Sequence, residues 1–375
     1  MGDRLLLYDL TYDQIQALLV GWDEPRFRAD QLWRWLHASL AENWEQMVNL
    51  PAGLRRRLAA NTELSPLTPL TYQESASGQT RKVLFRLWDG ETIESVLMRY
   101  TDRRTACVST QAGCSMGCPF CATGQGGLVR NLSAGEIVGQ VIHLARQVRE
   151  TELSQRGGAE QAHPIGNVVL MGMGEPLANY SATLQAIETL ADPRGYNLGA
   201  RRFTLSTVGL VPGIRQLAKE ALPINLAVSL HAADDGLRDQ LVPVNRRYPL
   251  AELMTAIREY AGMTKRRVSI EYALIDRVND TPEQAHGLAR LLDGMLCHVN
   301  LIPLNPTSGS PWQPSPRERV DAFRKVLEGA AVPTTVRMRR GIDIEAGCGQ
   351  LRQRQLSAAS DSSADSCIFI EKQVR

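Results

Sequence analysis

The sequence predicts an α/β protein: a partial barrel of six parallel strands, open on one side, preceded by a small N-terminal α+β domain and followed by a tail with no fold of its own. Three observations predict it. From about residue 105 onward, short apolar runs rich in β-formers alternate with amphipathic helical stretches, the pattern of right-handed βαβ units in a parallel sheet. Residues 1 to about 90 carry a different order, helices first and strands after. The run Ser357-Ala358-Ala359-Ser360-Asp361-Ser362-Ser363-Ala364-Asp365-Ser366 is low in complexity and cannot bury enough apolar surface to fold, so a disordered C-terminal tail is expected. The implied division is 1–90 for the accessory domain, 100–341 for the core domain, 342–351 for a loop and 352–375 for the tail.

Taken in order, Thr11 with Gln14 reads as a capping box that opens a short helix. Asp30 to Leu40 reads as a second helix with Trp33, Leu36 and Leu40 on its apolar stripe. The parallel strands are expected at Ala106 to Thr110, Asn167 to Met171, Phe203 to Thr207, Asn225 to Leu230, Val268 to Ala273 and Val299 to Leu304. Helices between them start at Ser133 with Glu136, at Thr281 with Pro282 and Gln284, and at Ser315 with Pro316 and Glu318. Six strands fall short of an eight-stranded barrel, and functional side chains in such a sheet belong at the carboxyl ends of its strands.

Composition narrows the class. The 42 basic and 40 acidic side chains nearly cancel, leaving +2, so no global field announces a polyanionic partner. Seven cysteines, an odd number in 375 residues, fit a reducing compartment in which thiols serve metals or chemistry. The N-terminal Leu5-Leu6-Leu7 is too short and too acid-flanked for a signal peptide, and no run is long enough to span a bilayer. A cytoplasmic protein without a membrane partner is expected.

The sharpest feature is Cys114-Ser115-Met116-Gly117-Cys118-Pro119-Phe120-Cys121, in the loop leaving the first expected parallel strand. Gly113, Gly117 and Pro119 suit the irregular backbone that would point three thiolates at one centre. A structural zinc ion would want a fourth ligand, and the nearest histidine downstream, His143, lies in an expected helix. Three thiolates on a four-iron cube instead leave one iron open to a cofactor or substrate. Other strand ends supply polar groups: Met171-Gly172-Met173-Gly174-Glu175-Pro176 after the second strand, Ser206 on the third, Ser229, Leu230 and His231 on the fourth, and Asn305 after the sixth. The glycines permit close approach of the backbone to a ligand, and Glu175 can meet an ammonium. Singly each has a plain structural reading; a lone His231 is more often a satisfied core histidine than a ligand.

The cysteine motif resembles the radical S-adenosylmethionine (SAM) superfamily. That resemblance implies one 4Fe–4S cluster held by Cys114, Cys118 and Cys121, with SAM on the open iron and a 5′-deoxyadenosyl radical as its product. Gly174, Glu175, Ser206, Ser229, Leu230, His231 and Asn305 are then the expected SAM-binding residues. Two further stretches sharpen the likeness: Cys107-Val108-Ser109-Thr110-Gln111-Ala112-Gly113-Cys114, and Gly341-Ile342-Asp343-Ile344-Glu345-Ala346-Gly347-Cys348-Gly349-Gln350-Leu351. With Ile93-Glu94-Ser95-Val96, Ser206-Thr207-Val208-Gly209 and Ser229-Leu230-His231-Ala232, the chain closely resembles the RlmN family of RNA methyltransferases from its N-terminal helices to Leu351.

The resemblance implies methylation of adenine carbon 2 in 23S rRNA and tRNA through a methylcysteine and two SAM molecules. Carbon 2 is not nucleophilic, so the methyl group must arrive as a carbon radical. Cys348 would carry the methyl group, Glu94 would accept the carbon 2 proton, and Cys107 would release the adduct by attacking the Cys348 sulfur, leaving a transient disulfide. On spacing alone Cys107 reads as a small buried strand residue; the resemblance reverses that. Cys297 and Cys367 match nothing in the family. Loop 342–351 becomes the catalytic cysteine loop, an electron donor such as flavodoxin becomes a partner, and a monomer is expected. The alternative is the Cfr type, which methylates carbon 8 of adenine in 23S rRNA. For RNA binding, the clusters Arg103-Arg104, Arg201-Arg202, Arg246-Arg247, Lys265-Arg266-Arg267 and Arg337-Met338-Arg339-Arg340 are the candidates, expected where a phosphate backbone crosses the barrel mouth.

Overall fold

The computed structural model describes residues 4–156, 164–307, 310–337 and 344. Three helices come first: α1 (Tyr12–Val20), α2 (Phe27–His37) and α3 (Ala52–Asn61). The capping box of α1 forms as its sequence demands, with Gln14 N donating to Thr11 Oγ1 and Thr11 N donating to Gln14 Oε1. α2 begins before the expected Asp30 and ends at His37. Ile15, Leu19, Leu32, Trp33 and Leu36 are buried in the main hydrophobic core.

Ten strands then make one sheet whose spatial order is the chain order. They are β1 (Thr68–Glu74), β2 (Thr80–Arg86), β3 (Thr92–Arg99), β4 (Arg104–Cys107), β5 (Asn167–Leu170), β6 (Phe203–Thr207), β7 (Asn225–Ser229), β8 (Val268–Leu274), β9 (Cys297–Pro303) and β10 (Thr334–Val336). β1 to β4 pair antiparallel, and every neighbour from β4 to β10 pairs parallel. The six expected parallel strands are all present within a few residues of their expected bounds. A seventh, β10, was not expected, because three residues of Thr-Thr-Val are too few to show a period. The hairpin strands of the N-terminal segment extend the core sheet and do not form a sheet of their own.

Helices α4 (Ala134–Arg156), α5 (Tyr180–Ala191), α6 (Val211–Leu217), α7 (Asp235–Leu241), α8 (Leu250–Thr264), α9 (Pro282–Leu292) and α10 (Arg317–Gly329) connect the parallel strands. The expected starts at Ser133 and Thr281 are capped by those side chains. The third is a correction: Pro316 is the N-cap of α10, so Glu318 falls one residue short of the capping-box position and no side chain caps this helix. α4 also anchors the N-terminal helices, since Arg146 Nε donates to Leu40 O at 2.9 Å and Arg149 Nη2 to Ala38 O at 3.0 Å.

The alternation along each parallel strand separates two faces. Phe203, Leu205, Leu226, Val228, Ile270, Tyr272, Val299 and Leu301 are buried in the main core. The opposite, concave face carries Ser206, Ser229, Glu271 and Asn300, with Ser229, Glu271 and Asn300 in one register row. The tail at 352–375 and the loop residues Gly341, Ile342, Asp343 and Glu345 to Gln350 lie outside the described residues.

Candidate active site at the carboxyl ends of the parallel strands

Register brings the first two expected catalytic residues to one face. Cys107 ends β4 and pairs with Val96 of β3, which pairs in turn with Lys82 of β2. Directly paired residues share a face, and so do residues two apart on one strand, so Lys82, Glu94, Val96 and Cys107 all point to the concave side. Glu94 is buried, and its Oε2 lies 2.9 Å from Nζ of Lys82, which has no exposed side-chain surface. Sequence reading missed Lys82. Its signal is a lysine opening the apolar run Val83-Leu84-Phe85 inside a strand. The third expected catalytic residue, Cys348, lies outside the described residues.

The cysteine loop lies between the two strands of a small ribbon, in which Gln111–Gly113 pairs antiparallel with Leu128–Asn131. Cys118 and Cys121 share an apolar pocket with Leu241, Val242, Ile275, Leu304, Met116, Phe120, Val208 and Trp312. Burial pushes the Cys114 thiol up to about 11 and raises Cys118 further, and the three sulfurs feel one another's charge. Among the described residues no three His, Cys, Asp or Glu side chains are gathered closely enough for a single metal ion. A four-iron cube asks for a wider triangle, since each thiolate binds a different iron, and three thiols on one short loop, two of them packed in this apolar cluster, fit it. His143, the histidine weighed as a zinc ligand, packs edge-on against Phe85 at 4.9 Å and bonds Tyr72 and Gln147.

The glycine and acid motif packs against the segment leading to the cysteines. A Cβ on Gly172 would lie 2.6 Å from the Val108 carbonyl, and one on Gly174, at φ +101°, would lie 2.5 Å from Gln111 Cβ. The close approach is therefore between this loop and the segment leading to the cysteines. Glu175 is buried and its carboxylate accepts hydrogen bonds from Leu177 N at 3.0 Å and Val208 N at 2.8 Å. Burial pushes its pKa up to about 7 against those backbone hydrogen bonds. Gln111 completes the clasp by accepting from Glu175 N at 2.8 Å.

At the end of β7, His231 adopts φ +63° and is buried. Ala273 N donates to its Nδ1 at 3.0 Å, so the ring is neutral with its proton on Nε2, and burial lowers its pKa to about 3. The Phe120 ring meets it edge-on at 5.0 Å, joining the cysteine loop to this strand end. Leu230 is buried, its N–H donating to Glu271 O at 3.0 Å, whereas Asn305 is exposed. Arg238, which sequence reading also missed, is fully buried and donates to Leu230 O at 3.0 Å, Asn245 Oδ1 at 2.7 Å and Val208 O at 2.6 Å. It locks the ends of β6 and β7 behind the cysteine pocket, and no sequence pattern marks it.

The basic clusters require a correction. Arg103-Arg104 opens β4, Arg201-Arg202 precedes β6 and Lys265-Arg266-Arg267 precedes β8, so all three lie at the amino ends of the strands. A cluster at a helix-to-strand connection in a parallel sheet falls on the face opposite the mouth. There Arg103, Arg104, Arg201 and Arg202 line a cleft of about 590 Å³. Arg246-Arg247 follows α7, and Arg337 follows β10 with Nη1 3.9 Å from Glu271 Oε2; Met338, Arg339 and Arg340 lie outside the described residues.

Comparison with known proteins decides the family. Residues 6–64 match the ribosomal RNA large subunit methyltransferase N-terminal domain, and residues 108–289 match the radical SAM superfamily. A probable dual-specificity RNA methyltransferase RlmN of Chloroflexus aurantiacus is 53% identical, with 94% of each chain covered. The dual-specificity RNA methyltransferase RlmN 1 of Myxococcus xanthus is 52% identical over 92% of this chain and 94% of its own. This chain belongs to the RlmN family. A crystal structure of a radical SAM methyltransferase from Sphaerobacter thermophilus superposes with TM-score 0.88 at 50% identity, covering 92% of this chain and 98% of that one. RlmN proteins, as radical SAM enzymes, use a 4Fe–4S cluster and SAM. No helix among the described residues is long and apolar enough to cross a membrane.

Proposed function

We propose that this chain methylates carbon 2 of an adenosine in 23S rRNA and in tRNA, with Cys348 as methyl carrier, Glu94 as proton acceptor and Cys107 as the thiol that releases the product. The observation that carries the reading is the shared face of Glu94 and Cys107 on adjacent strands, next to the segment that leads into the cysteine loop. Cys114, Cys118 and Cys121 would hold the cluster. When bound, the reduced cluster supplies the electron that cleaves SAM.

The residues of the chain account for the remaining steps. Ser206 and Ser229 offer hydroxyls on the concave face for SAM, Gly174 and Leu230 offer backbone, His231 offers a neutral ring, and Asn305 offers an exposed amide at the rim. Glu175 would hold the shape of this wall through Val208 and Leu177, and any ammonium it meets shares the carboxylate with them. The substrate adenine must leave its stack to reach the concave face, which costs a few kcal/mol. Glu94 takes the carbon 2 proton. The Cys107 thiolate attacks the Cys348 sulfur, forming the disulfide as the sulfur–methylene bond breaks. The methylene carbon keeps that electron pair and takes up a proton to become the methyl group, while the one electron left over from radical addition would return to the cluster. Residues 1–90 would form the RNA-facing accessory domain and 342–351 the catalytic loop, in a cytoplasmic monomer reduced by a flavodoxin-type donor.

Mass spectrometry of digested rRNA and tRNA after anaerobic incubation with SAM and a reductant tests this. The expected product is 2-methyladenosine together with 5′-deoxyadenosine. 8-Methyladenosine would instead assign the Cfr type of activity, and Cys118→Ala should abolish both products together with the cluster absorbance.

A further inference from the structure

We propose that Lys82 is the positioning residue for Glu94: its ammonium holds the carboxylate in place inside the sheet and aims it at the concave face. The proposal rests on the reading of Glu94 as proton acceptor. The two groups are 2.9 Å apart, with side-chain exposures of 0% and 2%. A charge-assisted hydrogen bond of this length fixes the direction in which the buried carboxylate points.

Stability does not explain the pair. Replacing a buried ion pair with apolar side chains is often neutral or stabilising, and neighbouring Val83, Leu84 and Phe85 are all fully buried in the same strand. The register is specific: Lys82 stands in the row of Val96 and Cys107, and Glu94 is two residues along β3, toward the carboxyl ends of the parallel strands. Lys82 therefore reaches Glu94 from beneath, from the side away from the mouth. In the step it serves, the carbon 2–hydrogen bond breaks, its electron pair stays in the purine, and the proton ends on a Glu94 oxygen. Lys82 neither gains nor loses a proton.

The test uses the full-length, reconstituted enzyme with Lys82→Met, Lys82→Arg, Glu94→Gln and the Lys82→Met/Glu94→Gln double variant. Three quantities are read: released methyl-RNA, covalent protein–RNA adduct on a denaturing gel, and thermal unfolding of the cluster-free protein. Lys82→Met should release product at least about tenfold more slowly while adduct accumulates, and Lys82→Arg should recover most of the rate. The double variant should release no more slowly than Glu94→Gln and should unfold at a higher temperature than Lys82→Met. Normal release by Lys82→Met beside slow release by Glu94→Gln overturns this proposal alone. Normal release by Glu94→Gln overturns the proton-acceptor reading, and this proposal with it. Parallel loss of adduct and product in Lys82→Met, without recovery in Lys82→Arg, reduces Lys82 to a structural role. Should Lys82→Met not fold, the double variant decides: release slower than in Glu94→Gln counts against the proposal, and equal release supports it.

Discussion

Cys107 on β4 stands directly opposite Val96 on β3, and this one pairing sets the thiol on the same face as Glu94, two residues back along β3. A slip of one residue would turn Cys107 to the helix-covered side, where Ala106 and Val108 are fully buried. The antiparallel pairing of β3 with β4 is therefore what makes a carboxylate and a thiol neighbours across a strand boundary. The same row continues to Val169 on β5, inside the parallel part of the sheet.

If Cys107 only releases the adduct, Cys107→Ala should still build the bond between Cys348 and RNA and stall there, running as a covalent complex on a denaturing gel. Cys348→Ala should form no adduct and no methyl-RNA, however intact its cluster. Equal adduct from Cys107→Ala and from the double Cys107→Ala, Cys348→Ala variant would refute the assignment.

Gly172→Ala tests the clasp between the β5 loop and the cysteine segment. The new methyl group would meet the Val108 carbonyl at 2.6 Å and Ser109 N at 2.8 Å, both backbone atoms that no rotamer change can move. A loss of about 2 kcal/mol or more in denaturant unfolding is expected. Gly199→Ala, whose Cβ meets nothing within 4 Å, should change stability by less than about 0.5 kcal/mol. Equal behaviour of the two variants would mean that the clasp yields.

How much of this was legible in the sequence follows from what each signal depends on. Strands β4 to β9 showed because buried parallel strands flanked by capped helices carry their own pattern, and the three cysteines showed because their spacing is local. Lys82 and Arg238 did not show. Each matters through a partner set by register or by a chain reversal, Glu94 on the neighbouring strand and Val208 thirty residues back, and neither partner can be read from the residues beside it. The arginine clusters were visible, but the face they occupy depends on whether they open or close a strand. Gly172 and Gly174 mark a close approach in the sequence, and the structure adds that the segment leading to the cysteines is one of the groups that approaches.

A last prediction concerns pH and lies in the N-terminal helices, far from the reaction. His37 ends α2 fully buried, between Tyr8 at 5.3 Å and Trp33 at 4.2 Å between ring centroids, and neither ring nitrogen has a hydrogen-bond partner among the described residues. Burial lowers its pKa from 6.5 to about 3, against the opposing pull of Asp192. A histidine whose folded pKa is depressed binds fewer protons folded than unfolded, so its contribution to stability is intact above about pH 6.5 and is lost as pH falls toward 3. At pH 5 the loss is about 2 kcal/mol, at about 1.4 kcal/mol per pH unit below the unfolded value. His231 and His143 act in the same direction, whereas Glu175 and Glu271, with raised pKa values, act in the opposite one. The absolute pH profile therefore mixes several groups, and a comparison of variants is needed to isolate one. His37→Phe keeps an aromatic ring against Tyr8 and Trp33 and removes both orphaned nitrogens. Its unfolding free energy should exceed that of the parent by about 1 to 2 kcal/mol at pH 8 and by about 2 kcal/mol more at pH 5. A phenyl ring too large for the slot would lower both values equally, so the pH dependence of the difference is the deciding quantity. A difference that stays constant from pH 8 to pH 5 would show that His37 takes up its proton as readily in the folded chain as in the unfolded one.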